Sequence, residues 1–331
     1  MAWSGASNIG PSGFTVDLGE LDKVQISEDH NVVSVAAGTT WTDVYNVLSP
    51  YNLTVVGGRS AGVGVGGFLA HVSLLFLAPA PTRLTFSQGG ISFLSLDQGF
   101  GSDNVVIYEV VLADGSIVTA SPSKRPDLYW ALKMGSTNYG IITHFDLTTF
   151  PLHDIWGGAM LYDINLGPPL LEHLTKFTAN INNEPTGMTA VGMAYNPQLK
   201  QYLIWAPVMY YKPVASPPLF DGMNSFEPFY NSVKVRSLVD MAEEVARSAP
   251  GGGRAMWFSH TLRLDSQFPW DAYLQGKAIF DPVLDLPGAS WALTLQPINS
   301  GMLKAGARNG GGPLGVPERE ENLLCTYCGS P

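Results

Sequence analysis

The amino-acid sequence predicts an α+β fold of two domains, in which short strands outnumber helices. The chain has 331 residues, enough for two domains of ordinary size. Short β-rich runs separated by turn residues are more frequent than helical patterns. An Asp-Gly turn joins two such runs as a hairpin, which favours antiparallel pairing over a doubly wound parallel sheet. The predicted division is residues 1–150, residues 151–317, and an unrelated tail at residues 318–331.

The first domain is predicted to contain five strands and two modest helices. One helix is opened by a Thr-x-x-Asp start signal from Thr40 to Asp43. We expect Asp127 to cap the other helix, which continues to Leu132. The predicted strands are 32–38, 53–56, 105–112, 116–119 and 140–148.

Pro151 marks the predicted boundary between the domains. The pattern of the second domain predicts an antiparallel sheet with helices on one face, because several strand-like runs alternate with a few amphipathic stretches. Its predicted strands are 156–162, 188–195, 201–211, 256–264 and 291–296. Its predicted helices are 168–181, 239–246 and 270–284.

Composition and charge narrow the class of partner. Hydrophobic residues make up 45% of the chain and charged residues 14%, and 18 basic against 28 acidic residues give a formal net charge of −10. Because positive charge supplies most of the affinity for a phosphate backbone, we expect no nucleic-acid partner. No apolar run approaches the ~20 residues that span a bilayer, and the first residues do not form a signal peptide. We therefore expect no membrane partner.

Cys325 and Cys328 form a single Cys-x-x-Cys pair near the end of the sequence. A zinc site needs further ligands, and there is no second pair to supply them. We therefore expect no metal site, and interpret the two cysteines as part of a frayed tail.

The most informative stretch is the glycine-rich segment from Gly57 to Gly67. Dense glycines let backbone N–H groups approach an anion without obstruction by side chains. A structural turn explains the same residues equally well. The segment is not followed by the amphipathic helix of a nicotinamide-binding motif, and no Gly-Lys-Ser/Thr completes a P-loop.

Eleven sequence blocks in a fixed order make the pattern specific. They are Trp3–Asn8, Asp17–Leu18, Val33–Gly38, Trp41, Val56–Arg59, Val63–Gly67, Gly89–Ser95, Gly101–Val105, Val111–Gly115, Asp127–Leu132 and Asn138–Thr143. This order resembles the FAD-binding PCMH-type domain of vanillyl-alcohol-oxidase and berberine-bridge-enzyme relatives, and among them the fungal FAD-linked oxidases. The similarity continues more weakly after Pro151 into the substrate domain of that family.

The resemblance implies FAD as the cofactor and a small molecule as the substrate. It implies oxidation of an alcohol, sugar or secondary-metabolite CH–X group by hydride transfer to flavin N5, with dioxygen as the electron acceptor, in a secreted fungal protein. The family pattern places the diphosphate and isoalloxazine against one loop, further flavin contacts on a second segment, and the nucleotide end on a strand. The corresponding residues are Ser60, Val63, Gly64, Gly66, Gly67, Gly89 and Gly90 for the loop, Asp103 and Asn104 for the segment, and Gly140 and Ile142 for the strand.

Four departures from the family pattern are visible. The N-terminal lobe and its flavin-bonding histidine would precede Met1, and the cysteine that bonds the flavin in some relatives corresponds to Ser60. The tail does not resemble the family segment that supplies an active-site tyrosine. We therefore assign no catalytic residue, and interpret Tyr162, Tyr210 and Tyr211 as packing groups in strands.

The fourth departure is an insertion, Val72–Gln88, inside the glycine-rich region. Its ends match what the borders of a spliceosomal intron would encode, so we interpret it as a retained, translated intron. A loop insertion is the alternative. Both termini and this insertion leave a second functional hypothesis open, in which the chain is a truncated or degenerate flavoenzyme remnant without activity.

Overall fold

The computed structural model describes residues 10–11, 13–70, 90–136, 138–248, 256–308, 310–311 and 321–330. Its strands are β1 (Val24–Ile26), β2 (Val32–Ala36), β3 (Leu53–Thr54), β4 (Val105–Val111), β5 (Ile117–Ala120), β6 (Ile141–Thr148), β7 (Phe150–Pro151), β8 (Ile155–Asp163), β9 (Gly187–Thr189), β10 (Val191–Asn196), β11 (Gln201–Tyr210), β12 (Tyr230–Asn231), β13 (Lys234–Arg236), β14 (Met256–Arg263), β15 (Ala292–Ile298) and β16 (Leu323–Ser330). Its α-helices are α1 (Trp41–Leu48), α2 (Val65–Ala70), α3 (Ser95–Gln98), α4 (Pro126–Leu132), α5 (Gly167–Asn180), α6 (Asp221–Asn224), α7 (Leu238–Ser248), α8 (Gln267–Phe280) and α9 (Ser300–Arg308).

The first domain is built on a five-stranded antiparallel sheet in the order β1-β2-β6-β4-β5. The period-2 pattern of β2 buries Val33 and Val35, which pair with Leu147 and Phe145 of β6. The predicted hairpin is confirmed, since β4 and β5 pair on either side of the Asp-Gly turn.

The first helix begins where the sequence predicts. The Asp43 carboxylate accepts hydrogen bonds from the backbone N–H of Thr40 at 2.8 Å and from its hydroxyl at 2.7 Å. These bonds satisfy donors that the first turn of a helix leaves free. Val44 and Leu48 lie fully buried one turn apart, so α1 packs an apolar face onto the sheet.

The second predicted helix start was wrong by two residues. Arg125, not Asp127, holds the N-cap position of α4, because Pro126 occupies the first helical position. Proline is favoured there, since the first turn needs no N–H from it. Asp127 lies within the first turn instead.

The second domain contains a nine-stranded antiparallel sheet. Its main path is β12-β8-β11-β10-β15-β16-β14, with β13 beside β8 and β9 beside β11. One face packs on α5 and α8. Tyr202 of β11 contacts Tyr273 of α8 at 5.6 Å between ring centroids, and Trp156 of β8 contacts Phe220, which stacks on Phe177 of α5. The other face meets α7, because a Cβ at Gly157 would lie 2.8 Å from Met241 Sδ. The predicted α+β class is confirmed, and helices cover parts of both faces of this sheet.

The predicted tail is part of this sheet. β16 lies between β14 and β15 and pairs with both along its whole length. Leu324 and Cys325 are buried, so the prediction of a frayed cysteine pair was wrong. The partner strands lie far away in the sequence, so no local signal marked this segment as a strand. Among the described residues, no helix has the length and apolar character needed to cross a membrane.

Candidate functional site

The glycine-rich segment folds back over the beginning of α1. The N–H of Trp41 donates to Val63 O at 3.1 Å, and the N–H of Val65 donates to Thr39 O at 3.0 Å. These two bonds flank Gly64 in a short antiparallel bridge. In this geometry the N–H of Gly64 forms no bond to the opposite residue.

A short helix, α2, begins at Val65 inside the glycine-rich segment, and the sequence did not indicate it. Val65 and Leu69 are fully buried one turn apart. Burial of this apolar side offsets the low helix propensity of Gly66 and Gly67, which lie inside the helix.

Some glycines of the segment are required by packing. A Cβ at Gly57 would lie 2.5 Å from the ring of Trp41 and 2.6 Å from Tyr45 Oη. A Cβ at Gly58 would overlap the same ring. The Tyr45 hydroxyl donates to Gly58 O at 2.9 Å, which fixes this part of the loop against α1.

Other glycines have no such explanation within the described residues. A Cβ at Gly62 or Gly67 would meet no atom within 4 Å, and one at Gly64 would have its nearest neighbour, Thr39 O, at 3.9 Å. All three glycines are exposed, and none has a positive φ. Neither packing nor backbone conformation therefore requires glycine there. Their exposed backbone is suited to close contact with a bound group.

The second domain supports this loop directly. The N–H of Ala61 donates to the carbonyl of Ala242 in α7 at 3.0 Å. The neighbouring Ser60 is half-buried, and its carbonyl accepts from the N–H of Val63 at 3.2 Å. Val63 itself is 42% exposed. No sequence signal indicates the role of Ala242, because a backbone carbonyl does not depend on residue type.

The start of β6 lies beside the glycine-rich loop. A Cβ at Gly66 would be 3.2 Å from Ala37 O, and the N–H of Ala37 donates to Thr143 O at 2.8 Å. Ala37 thus connects the loop to β6, the strand that contains Ile142 and follows Gly140. Ile142 is buried and pairs with Val110 of β4.

Gly140 is required by its backbone conformation and by packing. Its φ is +134°, and a Cβ would lie 2.5 Å from Val111 O. The same is true of Gly90, which has a φ of +84° and whose Cβ would overlap the ring of Phe68 in α2. The Gly90 carbonyl accepts from the N–H of Gly101 at 2.8 Å. Gly89 and the insertion Val72–Gln88 lie outside the described residues.

Asp103 and Asn104 occupy a buried turn after this segment. The Asp103 carboxylate accepts from the N–H of Phe100 at 3.0 Å. Burial raises the pKa of the Asp103 carboxyl, while that hydrogen bond and the charge of Lys133 lower it. The Asn104 amide donates to the carbonyls of Gln98 and Phe100, both at 2.9 Å. Both side chains thus make bonds within the protein, and their predicted contact with a flavin stays a prediction.

The second domain also contacts the segment that contains these residues. The hydroxyl of Tyr211 donates to Phe93 O at 2.9 Å, and the amide of Asn299 donates to Leu96 O at 2.8 Å. Burial raises the pKa of the Tyr211 hydroxyl, so it stays protonated and serves as a donor at neutral pH. The candidate site therefore lies where the two domains meet.

The other tyrosines that the sequence singled out are also tied to the protein. Tyr162 is fully buried, and its hydroxyl donates to Met223 O at 3.2 Å. Tyr210 donates to Glu184 Oε1 at 2.9 Å. Neither points to a catalytic role. Among the described residues, no group of three or more histidine, cysteine or acidic side chains could hold a metal ion.

Comparison with known proteins shows which enzymes the chain resembles. No model of a known protein family matches it. The chain is 30% identical over 326 residues to the FAD-dependent monooxygenase drtC of Aspergillus calidoustus. The aligned region covers 96% of this chain and 58% of that protein. It thus spans about three fifths of the length of the curated relatives that it matches.

Solved structures show the same fold at lower identity. The 6-hydroxy-D-nicotine oxidase of Arthrobacter nicotinovorans superposes with a TM-score of 0.69 at 16% identity, over 96% of this chain and 66% of that one. Berberine bridge enzyme from Eschscholzia californica superposes with a TM-score of 0.65 at 16% identity, over 98% and 63%. The chain is thus similar in sequence to curated fungal FAD-dependent monooxygenases, and it shares the fold of the two solved enzymes named above.

Proposed function

We propose that this chain binds FAD where its two domains meet, and that the protein oxidises a small molecule at an alcohol, sugar or other CH–X group. The observation that carries the proposal is the exposed backbone of Gly62, Gly64 and Gly67, where no described neighbour requires glycine. The curated relatives are named FAD-dependent, which identifies the ligand that such a backbone would serve.

The residues of the chain suit this cofactor. The backbone N–H groups of Gly64, Gly66 and Gly67 would hold the diphosphate, since amide groups on an exposed turn form an anion-binding concavity. The backbone from Gly140 to Ile142, close to the loop, would contact the nucleotide end. FAD supplies, when bound, an acceptor at N5 for a hydride from the substrate, with dioxygen as the final electron acceptor. The chain's own residues bind and orient it. Secretion, implied by the family resemblance, is part of the same proposal.

Gly67→Val tests the loop. Its side chain would meet no neighbour among the described residues, so we expect the protein to fold normally, but it would block a ligand from the backbone. We expect FAD affinity to fall at least ~10-fold, the effect of losing about 1.4 kcal/mol of contact. Ala215→Val is the matched control, because it adds similar bulk at an exposed loop of the second domain.

The measurement is the flavin absorbance retained by the purified proteins, with titration of FAD into flavin-free samples. Circular dichroism confirms that both variants are folded. If Gly67→Val binds FAD as well as the wild type, the loop is not the site. If the folded wild type binds no FAD, the remnant interpretation is the correct one.

A further inference from the structure

The sequence contains a single acceptor triplet for N-linked glycosylation, Asn52-Leu53-Thr54. Such a triplet needs an asparagine, then any residue except proline, then a serine or threonine. Triplets of this kind also arise by chance, so the pattern alone does not make Asn52 a modification site. Two structural observations bear on it, one on the asparagine and one on the threonine.

Asn52 lies on the surface with its backbone held in place. It follows the 3₁₀ turn Ser49–Tyr51 and adopts the left-handed conformation, with a φ of +54° and a ψ of +41°. Its N–H donates to Ser49 O at 3.0 Å, and its carbonyl accepts from the N–H of Leu152 at 2.9 Å. The residue is exposed, and its side-chain amide has no hydrogen-bond partner among the described residues. The amide nitrogen of Asn52 is therefore accessible to a sugar.

Thr54 carries a hydroxyl that the fold does not need. The residue is 1% exposed in β3, and its hydroxyl donates to Val55 O at 3.4 Å. Hydrogen bonds between a hydroxyl and an oxygen normally span ~2.5–3.0 Å, so this contact is weak. Valine has nearly the same shape and suits a buried strand equally well. The hydroxyl does complete the acceptor triplet, which accepts only serine or threonine at this position.

The surroundings of Asn52 suit a sugar. Tyr51 is 53% exposed, and its ring meets the ring of His30 edge-on at 5.1 Å between centroids. An exposed aromatic ring offers an apolar face against which the C–H groups of a sugar can pack. Asn52 also lines a small cleft, whose other polar residues include Ser49, His153, Asp154 and Ser237. Their side chains donate to and accept from hydroxyl groups such as those of a sugar.

We propose that Asn52 is an N-glycosylation site. In the transfer, the amide nitrogen of Asn52 bonds to the anomeric carbon of the N-acetylglucosamine that ends a lipid-linked oligosaccharide. The bond from that carbon to the lipid diphosphate breaks, the diphosphate leaves with the electron pair, and the amide loses one proton. That the chain meets this donor in its organism rests on the secretion included in the proposed function; the accessibility of the acceptor does not.

The burial of Thr54 sets the time of the transfer. Thr54 pairs with Phe150 of β7, far along the chain. In the folded protein the hydroxyl of Thr54 is out of reach of a transferase, so the sugar must arrive before β3 and β7 pair. At ordinary rates of synthesis the residues between the two strands take on the order of 5–20 s to be made. During that time the growing chain presents the triplet without its partner strand.

Secretion of the full chain by yeast cells tests the proposal. An added leader peptide sends the chain into the secretory pathway, so the test does not depend on the proposed secretion. We expect a mass shift that peptide N-glycosidase F removes, and peptide mass spectrometry should assign it to Asn52. Cell extracts are examined together with the medium, so a variant that the cells retain is still scored.

Two variants remove the acceptor with little effect on the fold. Asn52→Gly keeps the left-handed backbone, since glycine adopts a positive φ without strain. Thr54→Val keeps the shape of the buried side chain and removes only the hydroxyl. Both should lose the glycan completely. Thr54→Ser is the matched control, because it changes the same residue but keeps the hydroxyl, and it should remain glycosylated.

An unmodified wild type would overturn the proposal, and so would a glycan that persists in Asn52→Gly or in Thr54→Val. Flavin absorbance of the same samples keeps this inference apart from the proposed function. Flavin without a glycan contradicts the inference alone. A glycan without flavin contradicts the proposed function alone.

Discussion

Arg236 links the second domain to the glycine-rich loop, and its loss should weaken both folding and flavin binding. Its side chain is 3% exposed and donates to Asp240 at 2.8 Å and to Glu244 at 2.6 Å. Both acids lie on α7. The carbonyl of Ala242, between them, accepts from the N–H of Ala61 in the loop. Arg236→Met should therefore loosen the helix that holds the loop.

The size of the effect follows from burial. Removal of one partner from a fully buried ion pair costs about 3–5 kcal/mol. Here the Asp240 and Glu244 side chains are 38% and 23% exposed, so water can solvate them when Arg236 is gone. We therefore expect a loss of about 2 kcal/mol of unfolding free energy. Lys234→Met should cost about 0.5 kcal/mol or less, because Lys234 is 61% exposed and lies 3.3 Å from the same Asp240.

Urea unfolding of the two flavin-free variants measures the difference, and FAD titration measures the effect on the loop. Arg236 holds the pKa of Asp240 below its ordinary value. The contribution of this pair is therefore present above about pH 3.9 and is lost as the pH falls through the lower pKa of the folded state. Equal losses of stability in Arg236→Met and Lys234→Met would refute the buried-pair argument. Unchanged FAD affinity in a destabilised Arg236→Met would refute the link to the loop.

Two further substitutions test local features. Gly57→Ala is expected to lower the unfolding free energy by about 2–3 kcal/mol, because its Cβ would lie 2.5 Å from the ring of Trp41. The control Gly62→Ala, whose Cβ would meet no described atom within 4 Å, should change the unfolding free energy by less than ~0.5 kcal/mol. Equal urea midpoints for the two variants would contradict this. Glu109→Gln should flatten the loss of stability at acid pH. A hydrogen bond from Thr143, and a weaker one from His144, lower the pKa of Glu109 from 4.5. The contribution of Glu109 to folding stability is therefore present above that value and is lost as the pH falls through the pKa of the folded state. The measurement is the slope of unfolding free energy against pH, compared between the wild type and the variant.

The sequence predicted those elements whose signals are local. The Asp-Gly hairpin and the Thr40–Asp43 helix start depend on residues within a few positions of each other, and both were found. β16 was missed, because a strand in the middle of a sheet is defined by partners distant in sequence. The helix α2 was missed, because tertiary packing of Val65 and Leu69 overrides the poor propensity of its glycines.

The candidate site shows the same limit. Gly57 and Gly67 look alike in the sequence, but packing requires the first, while the second faces open space.

Contacts from the second domain make flavin binding and folding interdependent. Ala242 holds the loop that contains Ala61, and Tyr211 holds Phe93 at the segment beyond it. A ligand that binds only the folded state stabilises it by about 2.7 kcal/mol when its concentration is 100 times its Kd. That gain is similar in size to the loss expected for Arg236→Met. FAD at 100 times the variant's own Kd should therefore restore the urea midpoint of this variant to about that of the flavin-free wild type. If the folded variant bound no FAD, added FAD would leave the midpoint unchanged, although the ion pair would still matter for folding.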